Sequence, residues 1–203
     1  EPPSTDKSAV NRVGAIVAAE CRKLGADVDV IQNMETGDHI LAKFALSAGE
    51  AQPLLLLCHM DTVFPLGTLE KTPFYEKDGK IYGPGVSDMK SGIVITLDAI
   101  RSTLSTGKPV TRPITALFTS DEEIGSPSSR ALIESLARES AMVFVMESAL
   151  VDGSIKTWRK GVGDFIVKVK GRAAHAGGDH HKGLNAIEEM AHQVLAIQKL
   201  TDY

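Results

Sequence analysis

Seven side chains of the sequence are of kinds that bind divalent metals or transfer protons, and each follows an apolar run or lies in a glycine-rich loop: His59, Asp61, Asp88, Asp121, Glu122, Glu123 and Glu147. Carboxylates brought together away from water repel one another, and a divalent cation relieves that cost. One imidazole among several carboxylates suits zinc, manganese or cobalt better than calcium, whose ligands are oxygens. The chain has only two cysteines, too few for a cysteine-rich structural zinc site. The sequence therefore predicts a metal site of the catalytic kind.

Each of these residues, taken alone, has an ordinary structural alternative. His59 could be a satisfied histidine at a strand end, Asp88 a helix N-cap, and Glu147 a solvated strand end. The acids at 121–123 could be the charge bias of a helix N-terminus. Their shared position at strand ends favours metal binding over these alternatives. Because His59 and Asp61 are two residues apart on an extended segment, their side chains share a face, and Asp61 can orient the imidazole through a hydrogen bond.

The elements that must position these side chains alternate along most of the chain. Strands are predicted at Val28–Ile31, Ile40–Phe44, Leu54–Cys58, Ile114–Thr119 and Met142–Met146, and helices at Ala9–Leu24, Lys90–Leu104 and Ser128–Arg138. The continuous apolar run Leu54–Cys58 is typical of a strand buried on both faces of a parallel sheet. We therefore expect an α/β fold with a mostly parallel, doubly wound sheet. Ligands of such sheets bind beyond the carboxyl ends of the strands.

A domain boundary is predicted between residues 151 and 157, which divides the chain into residues 1–153 and 154–203. Beyond it, Thr157–Gly171 has the alternation of a strand or hairpin, and an amphipathic helix is predicted from Gly183 onward. A lone strand–helix unit cannot cover its own apolar face. It would need the rest of its domain or a second subunit, or it would be disordered.

Composition narrows the range of partners. The 203 residues include 26 acidic and 22 basic side chains, a formal charge of −4 without any lysine or arginine cluster, so neither a nucleic acid nor a membrane surface is an expected partner. We find no apolar run near the ~20 residues that span a bilayer and no leader-like start. Cys21 and Cys58 are predicted to be single buried thiols, although a disulfide stays possible. A cytoplasmic location is expected, with a periplasmic or secreted one open if a leader was removed.

Five ordered motifs resemble those of peptidase family M20, the co-catalytic zinc exopeptidases and deacylases. They are HMDTV at 59–63, GPGVSDMKSG at 83–92, TSDEEIGS at 119–126, the strand-end Glu147, and GRAAHAGGDHHKGLNAI at 171–187. The resemblance runs from about Ser4 to the last residue and is strongest to the glutamate carboxypeptidase branch. It implies a catalytic α/β domain of the zinc-exopeptidase kind, followed by the first part of an inserted α/β lid domain that makes a homodimer.

The resemblance also implies a two-zinc site, in which cobalt or manganese could replace zinc. His59 and Glu147 match ligands of one metal, and Glu123 matches a ligand of the second. Asp88 matches the carboxylate that bridges both ions.

Three further residues match catalytic groups of the family. Glu122 matches the general base, and Asp61 matches the acid that orients the metal-binding histidine. His175 matches the lid histidine that reaches into the partner's active site to hold the substrate.

The family has one more metal-binding histidine, far downstream, and none of four histidines here can replace it: His39, His180, His181 and His192. Its first catalytic-domain helix also has no counterpart before Glu1. We therefore expect an N-terminal fragment, inactive alone, of an enzyme that hydrolyses an amide in a peptide or N-acyl amino acid. The favoured reaction releases a C-terminal residue such as glutamate. A dipeptidase, an N-acetyl-amino-acid deacylase, or a catalytically inactive α/β binding module are the alternatives.

Overall fold

The structure is a computed structural model that describes residues 1–44, 51–108 and 110–202. The chain divides into two compact units, Glu1–Ile155 and Lys156–Tyr203.

The first unit is built on a five-stranded sheet. Its strands are β1 (Asp27–Ile31), β2 (His39–Phe44), β3 (Leu54–His59), β6 (Ile114–Thr119) and β7 (Met142–Val145), in the spatial order β1-β2-β6-β3-β7. β2 pairs antiparallel with β1 and β6, whereas β3 pairs parallel with β6 and β7, so four of the five strands run in one direction. This confirms the predicted α/β fold with a mostly parallel sheet.

Helices cover both faces of this sheet. The helices of the first unit are α1 (Lys7–Lys23), α2 (Thr68–Lys71), α3 (Ser91–Ser105) and α4 (Arg130–Glu139). On one face, side chains of α1 and α3 pack with β2, β3 and β6, among them Val17, Ile100, Phe44, Cys58 and Phe118. On the other face, α4 packs against Leu41, Leu55 and Leu117. β3 and β6 therefore lie between two layers of helix, which explains their continuous apolar sequences.

Local signals set where α1 begins and ends. The Asp6 carboxylate accepts a hydrogen bond from the Ala9 N–H at 2.8 Å, which caps the helix. The helix ends before Gly25, whose φ of +85° is a left-handed conformation that glycine adopts without strain.

The segment before α1 is joined to the residues that follow β3. Pro3 and Thr62 form a parallel bridge, and the Thr62 N–H donates to the Pro2 carbonyl at 2.8 Å. This pairing brings Ser4 next to Asp61.

Two short elements between β3 and α3 were not predicted from the sequence. They are α2 and a separate hairpin made of β4 (Tyr75–Lys77) and β5 (Lys80–Tyr82). Tyr75 and Tyr82 stack on the hairpin with ring centroids 4.8 Å apart. Strands of this length are too short for alternation to identify them.

The buried thiols are as predicted. Cys21 and Cys58 are both free and buried. Burial raises the pKa of Cys21 to about 11 and that of Cys58 to about 12, so both are thiols at neutral pH. Among the residues that the structure describes, no helix has the length and apolar character needed to cross a membrane.

The second unit contains the predicted helix but not the predicted strand. Helix α5 (Ala186–Gln198) begins after Asn185, whose side chain accepts from the Ile187 and Glu188 N–H groups. The strand or hairpin predicted at 157–171 is wrong, because those residues form neither. A strand needs a neighbour to pair with, and the β pairing found among the described residues of this unit is a single bridge between Arg172 and Leu184.

Candidate active site

The candidate site lies at the carboxyl ends of three adjacent parallel strands. His59 is the last residue of β3, Glu122 and Glu123 follow β6, and Glu147 follows β7. Because neighbouring parallel strands end at the same edge of a sheet, these side chains meet there.

Asp88 reaches the same edge from the turn Val86–Lys90, directly before α3. Gly85 precedes this turn with φ of +69°, and a Cβ there would lie 2.6 Å from the Thr62 side chain. Any side chain at residue 85 would clash with Thr62, so the loop requires glycine at this position for steric reasons. The peptide bond between Asp88 and Met89 is cis.

The His59 ring is buried, with 2% of its side chain exposed, and its Nε2 atom faces carboxylates. Nε2 lies 3.0 Å from Asp88 Oδ1, 3.1 Å from Glu147 Oε1 and 3.7 Å from Glu122 Oε2. Ligand atoms of His59, Asp88 and Glu123 also lie within 4.8 Å of one another. The structure thus brings together the four residues predicted to bind metal.

The other ring nitrogen faces Asp61. His59 Nδ1 lies 3.1 Å from the Asp61 carbonyl oxygen and 3.4 Å from its carboxylate. Two acceptors at Nδ1 favour the tautomer with its proton there, which leaves the Nε2 lone pair directed at Asp88 and Glu147. Asp61 is therefore placed to orient the ring.

Asp61 also holds the backbone that carries Glu122 and Glu123. Its carboxylate accepts hydrogen bonds from the Glu122 N–H at 3.3 Å, the Glu123 N–H at 3.1 Å and the Ser4 hydroxyl at 2.6 Å. Burial would raise the pKa of Asp61, but hydrogen bonds from His59 and Ser4 outweigh it and lower the pKa. Sequence reasoning missed this second contact because only the adjacency of β3 and β6 brings the segments together.

The charges at this edge favour a bound cation. Burial raises the pKa of Glu122 and Glu123, and the nearby carboxylates of Glu147 and Asp88 add to the effect. Burial opposes protonation of His59, but hydrogen bonds to Asp61 and Glu147 outweigh it and raise the pKa to about 11. At that pKa the imidazole is protonated on both nitrogens, and a metal ion bound at Nε2 would replace the proton there. The His59 nitrogen and the carboxylate oxygens around it form a set of donor atoms that fits zinc.

Asp121 does not belong to this cluster, contrary to its grouping with the next two acids in the sequence. It is fully buried, and its carboxylate accepts from the Ser128 N–H at 2.7 Å, the Ser128 hydroxyl at 2.6 Å and the Ser129 N–H at 3.1 Å. Burial would raise its pKa, but these hydrogen bonds lower it. Asp121 stabilises the loop before α4.

His39 is a buried residue near the site that sequence reasoning set aside. Its Nδ1 accepts from the Ser120 N–H at 3.2 Å, so Nε2 carries the proton of the neutral ring and donates to the Ser128 hydroxyl at 3.1 Å. Burial lowers the pKa of His39, although Asp121 and Asp38 oppose this shift. The ring braces the loop that carries Glu122, and no spacing pattern in the sequence signals it.

His175 lies in the second unit and is exposed there. Its Nδ1 accepts hydrogen bonds from the Gly177 and Gly178 N–H groups, both at 3.1 Å. The substrate-binding role expected of it stays a prediction.

The fold of the chain is that of a peptidase domain. The aminopeptidase PepT from Bacillus cereus ATCC 10987 superposes with a TM-score of 0.69 at 21% identity, covering 94% of this chain and 51% of that one. This likeness concerns the fold alone.

Sequence comparison then defines the family. The sequence model of Peptidase family M20/M25/M40 matches residues 55–201. Carboxypeptidase G2 of Pseudomonas sp. (strain RS-16) is 33% identical over 205 residues, which cover 100% of this chain and 49% of that protein. Acetylornithine deacetylase of Proteus mirabilis (strain HI4320) is 34% identical over 168 residues, 79% of this chain and 42% of that protein. The chain belongs to peptidase family M20/M25/M40, and it spans about half the length of these curated relatives.

Proposed function

We propose that this chain carries the greater part of the active site of a metal-dependent hydrolase that cleaves an amide bond in a peptide or N-acyl amino acid. The observation that carries the proposal is the position of His59 Nε2, within 3.1 Å of carboxylate oxygens of both Asp88 and Glu147. A neutral imidazole and two carboxylates around one point supply three of the four ligands of a tetrahedral zinc site.

His59, Glu147 and Asp88 would hold one zinc ion, and Asp88 and Glu123 would hold a second. Cobalt or manganese suits the same donors. Such ions, when bound, lower the pKa of water and polarise a scissile carbonyl. The proposed bridging role of Asp88 agrees with its side chain, 65% of which is exposed.

Glu122 is the proposed general base. It lies at the edge of the cluster, 3.7 Å from His59 Nε2, with half of its side chain exposed to solvent. Burial and neighbouring carboxylates raise the pKa of Glu122 toward the near-neutral value at which a general base is most effective at neutral pH. It would take a proton from the attacking water and pass it to the leaving amine.

The two units have separate roles in this proposal. Residues 1–153 form the catalytic part, and residues 154–203 begin a lid domain through which the protein forms a homodimer. His175 of the lid would donate a hydrogen bond to the substrate as negative charge develops on its carbonyl oxygen.

The substrate proposal depends on the relatives. Carboxypeptidase G2, which aligns with all of this chain, supports release of a C-terminal residue. We propose glutamate as that residue. Acetylornithine deacetylase supports a second candidate, removal of an acyl group from an amino acid.

The test is turnover of the zinc-loaded full-length protein on N-acyl and peptidyl amino acids, with glutamate compounds in the panel. The Glu122→Gln variant should lose about 10²–10⁴ in rate while zinc content is unchanged. Glu70→Gln, in the exposed helix α2, is the matched control and should retain the full rate. Activity that survives chelation, or an undiminished rate in Glu122→Gln, would refute the mechanism. Zinc binding without turnover of any compound would favour an inactive binding module.

A further inference from the structure

The ladder between β3 and β7 stops one step before the candidate site. The Met146 N–H donates to the Leu57 carbonyl at 2.9 Å. In a regular parallel pair, the next bond would run from the His59 N–H to the Met146 carbonyl. The His59 N–H instead donates to the sulfur of Met89 at 2.9 Å. The regular pairing therefore ends immediately before Glu147.

Gly92 occupies the place toward which the Met146 carbonyl is turned. Gly92 is buried in the first turn of α3, and a Cβ built on it would overlap the Met146 carbonyl oxygen. The same Cβ would lie 3.0 Å from the Met146 carbonyl carbon and 2.8 Å from Met89 Cε. Because the first obstacle is backbone, it cannot move aside as the end of a side chain can.

This steric requirement is not shared by every buried glycine of the helices. Gly14, in α1, is also buried, but its Cβ would lie 3.5 Å from the Ile40 side chain and 3.6 Å from Met60 Cε. Those are ordinary van der Waals distances. Of these two helical glycines, only Gly92 therefore makes the close approach.

We propose that Gly92 and Met89 are positioning residues for the metal ligands. Because Gly92 has no side chain, the Met146 carbonyl can lie against the surface of α3. This orientation of the Met146 peptide directs the Glu147 side chain toward His59, with Oε1 3.1 Å from Nε2. Met89 accepts the His59 N–H that the diverted carbonyl no longer reaches. Neither residue binds metal. The inference rests on the proposed function, since His59 and Glu147 are ligands only there.

The experiment compares Gly92→Ala with Gly14→Ala. Zinc affinity is measured by titrating chelator-treated protein with Zn²⁺ alone, and a crystal structure of metal-free Gly92→Ala gives the separation of His59 and Glu147. Gly92→Ala should bind zinc about 10- to 100-fold more weakly, the range found when groups that orient metal ligands are changed. Gly14→Ala should bind zinc as the unmodified protein does. The distance between His59 Nε2 and Glu147 Oε1 in Gly92→Ala should exceed 3.1 Å.

Each outcome bears on one of the two proposals. Unchanged zinc affinity in Gly92→Ala, or an unchanged His59–Glu147 separation, would overturn the positioning role while leaving the proposed function intact. Failure of the unmodified protein to bind zinc would instead count against the proposed function, and the crystallographic distance would still decide the positioning role.

Met89→Leu provides a second test if Gly92→Ala does not fold. It leaves residue 92 unchanged, retains a similar apolar volume and removes the sulfur acceptor. Zinc affinity should fall about 10-fold, at the lower end of the same range, with the chelated protein still folded by circular dichroism. An affinity equal to that of the unmodified protein would overturn the assignment.

Discussion

Asp61→Asn should destabilise the protein even without metal. The substitution replaces one carboxylate oxygen with an NH₂ group, which donates hydrogen bonds where the oxygen accepted them. If the amide nitrogen takes the place of Oδ1, it faces the Glu122 N–H, and if it takes the place of Oδ2, it faces the Glu123 N–H and the Ser4 hydroxyl. In either orientation at least one backbone N–H of the Glu122–Glu123 segment, which is partly buried, loses its acceptor.

The size of the effect follows from these contacts. A buried donor left without a partner costs about 1–3 kcal/mol, and hydrogen bonds to a charged acceptor are each worth about 1 kcal/mol more than neutral ones. Since Asp61 is completely buried, water cannot replace the lost acceptor. We expect the free energy of unfolding to fall by about 2–4 kcal/mol in total.

The assay is urea denaturation at neutral pH with a chelator present, followed by circular dichroism. The chelator ensures that loss of metal does not contribute to the difference. Asp98→Asn is the matched control, because Asp98 is an exposed residue of α3 that pairs with Arg101 at 3.1 Å. The control should change stability by less than about 0.5 kcal/mol. A change that small in Asp61→Asn would refute the account of Asp61 as the acceptor that holds two loops.

Three further outcomes are expected. Burial lowers the pKa of His39, so below about pH 6.5 the unfolded chain binds more protons than the folded protein, and the contribution of this residue to stability is lost as the pH falls. The melting temperature of His39→Gln should therefore depend less on pH between about 7.5 and 5.5 than that of the unmodified protein. Parallel curves of melting temperature against pH would contradict this. Gly37→Ala should lower the free energy of unfolding in urea by about 1–3 kcal/mol, because its Cβ would lie 2.6 Å from Val10 Cβ; equal stability would show that the loop has room. Zinc at about 100 times its dissociation constant should stabilise the protein by about 2.7 kcal/mol in thermal melts, an increase that a chelator reverses, and the absence of any increase would argue against a zinc site.

The arrangement of the sheet was largely predictable because its signals are local. Leu54–Cys58 and Ile114–Thr119 are largely apolar runs, and this composition is typical of a strand buried on both faces. Parallel neighbours end at one edge, so the meeting of His59 with Glu147 follows once both strands are recognised.

Finer features of the site depend on contacts that no spacing pattern encodes. Adjacent acids look alike in the sequence, and the fully buried Asp121 separates from Glu122 and Glu123 only because hydroxyl and backbone donors of Ser128 lie beside it. The second contact of Asp61 likewise requires two strands to be neighbours in space. In the second unit, alternation at 157–171 suggested a strand, yet a pattern without a pairing partner does not form one.

The bridge between Pro3 and Thr62 has a practical consequence for handling the protein. Ser4, which that bridge brings next to Asp61, is 57 positions away from it along the chain, yet its hydroxyl lies 2.6 Å from the Asp61 carboxylate. Proteolytic cleavage within the first four residues would therefore disturb the edge of the sheet that carries the candidate site. Purification schemes that leave this short segment intact protect the site itself.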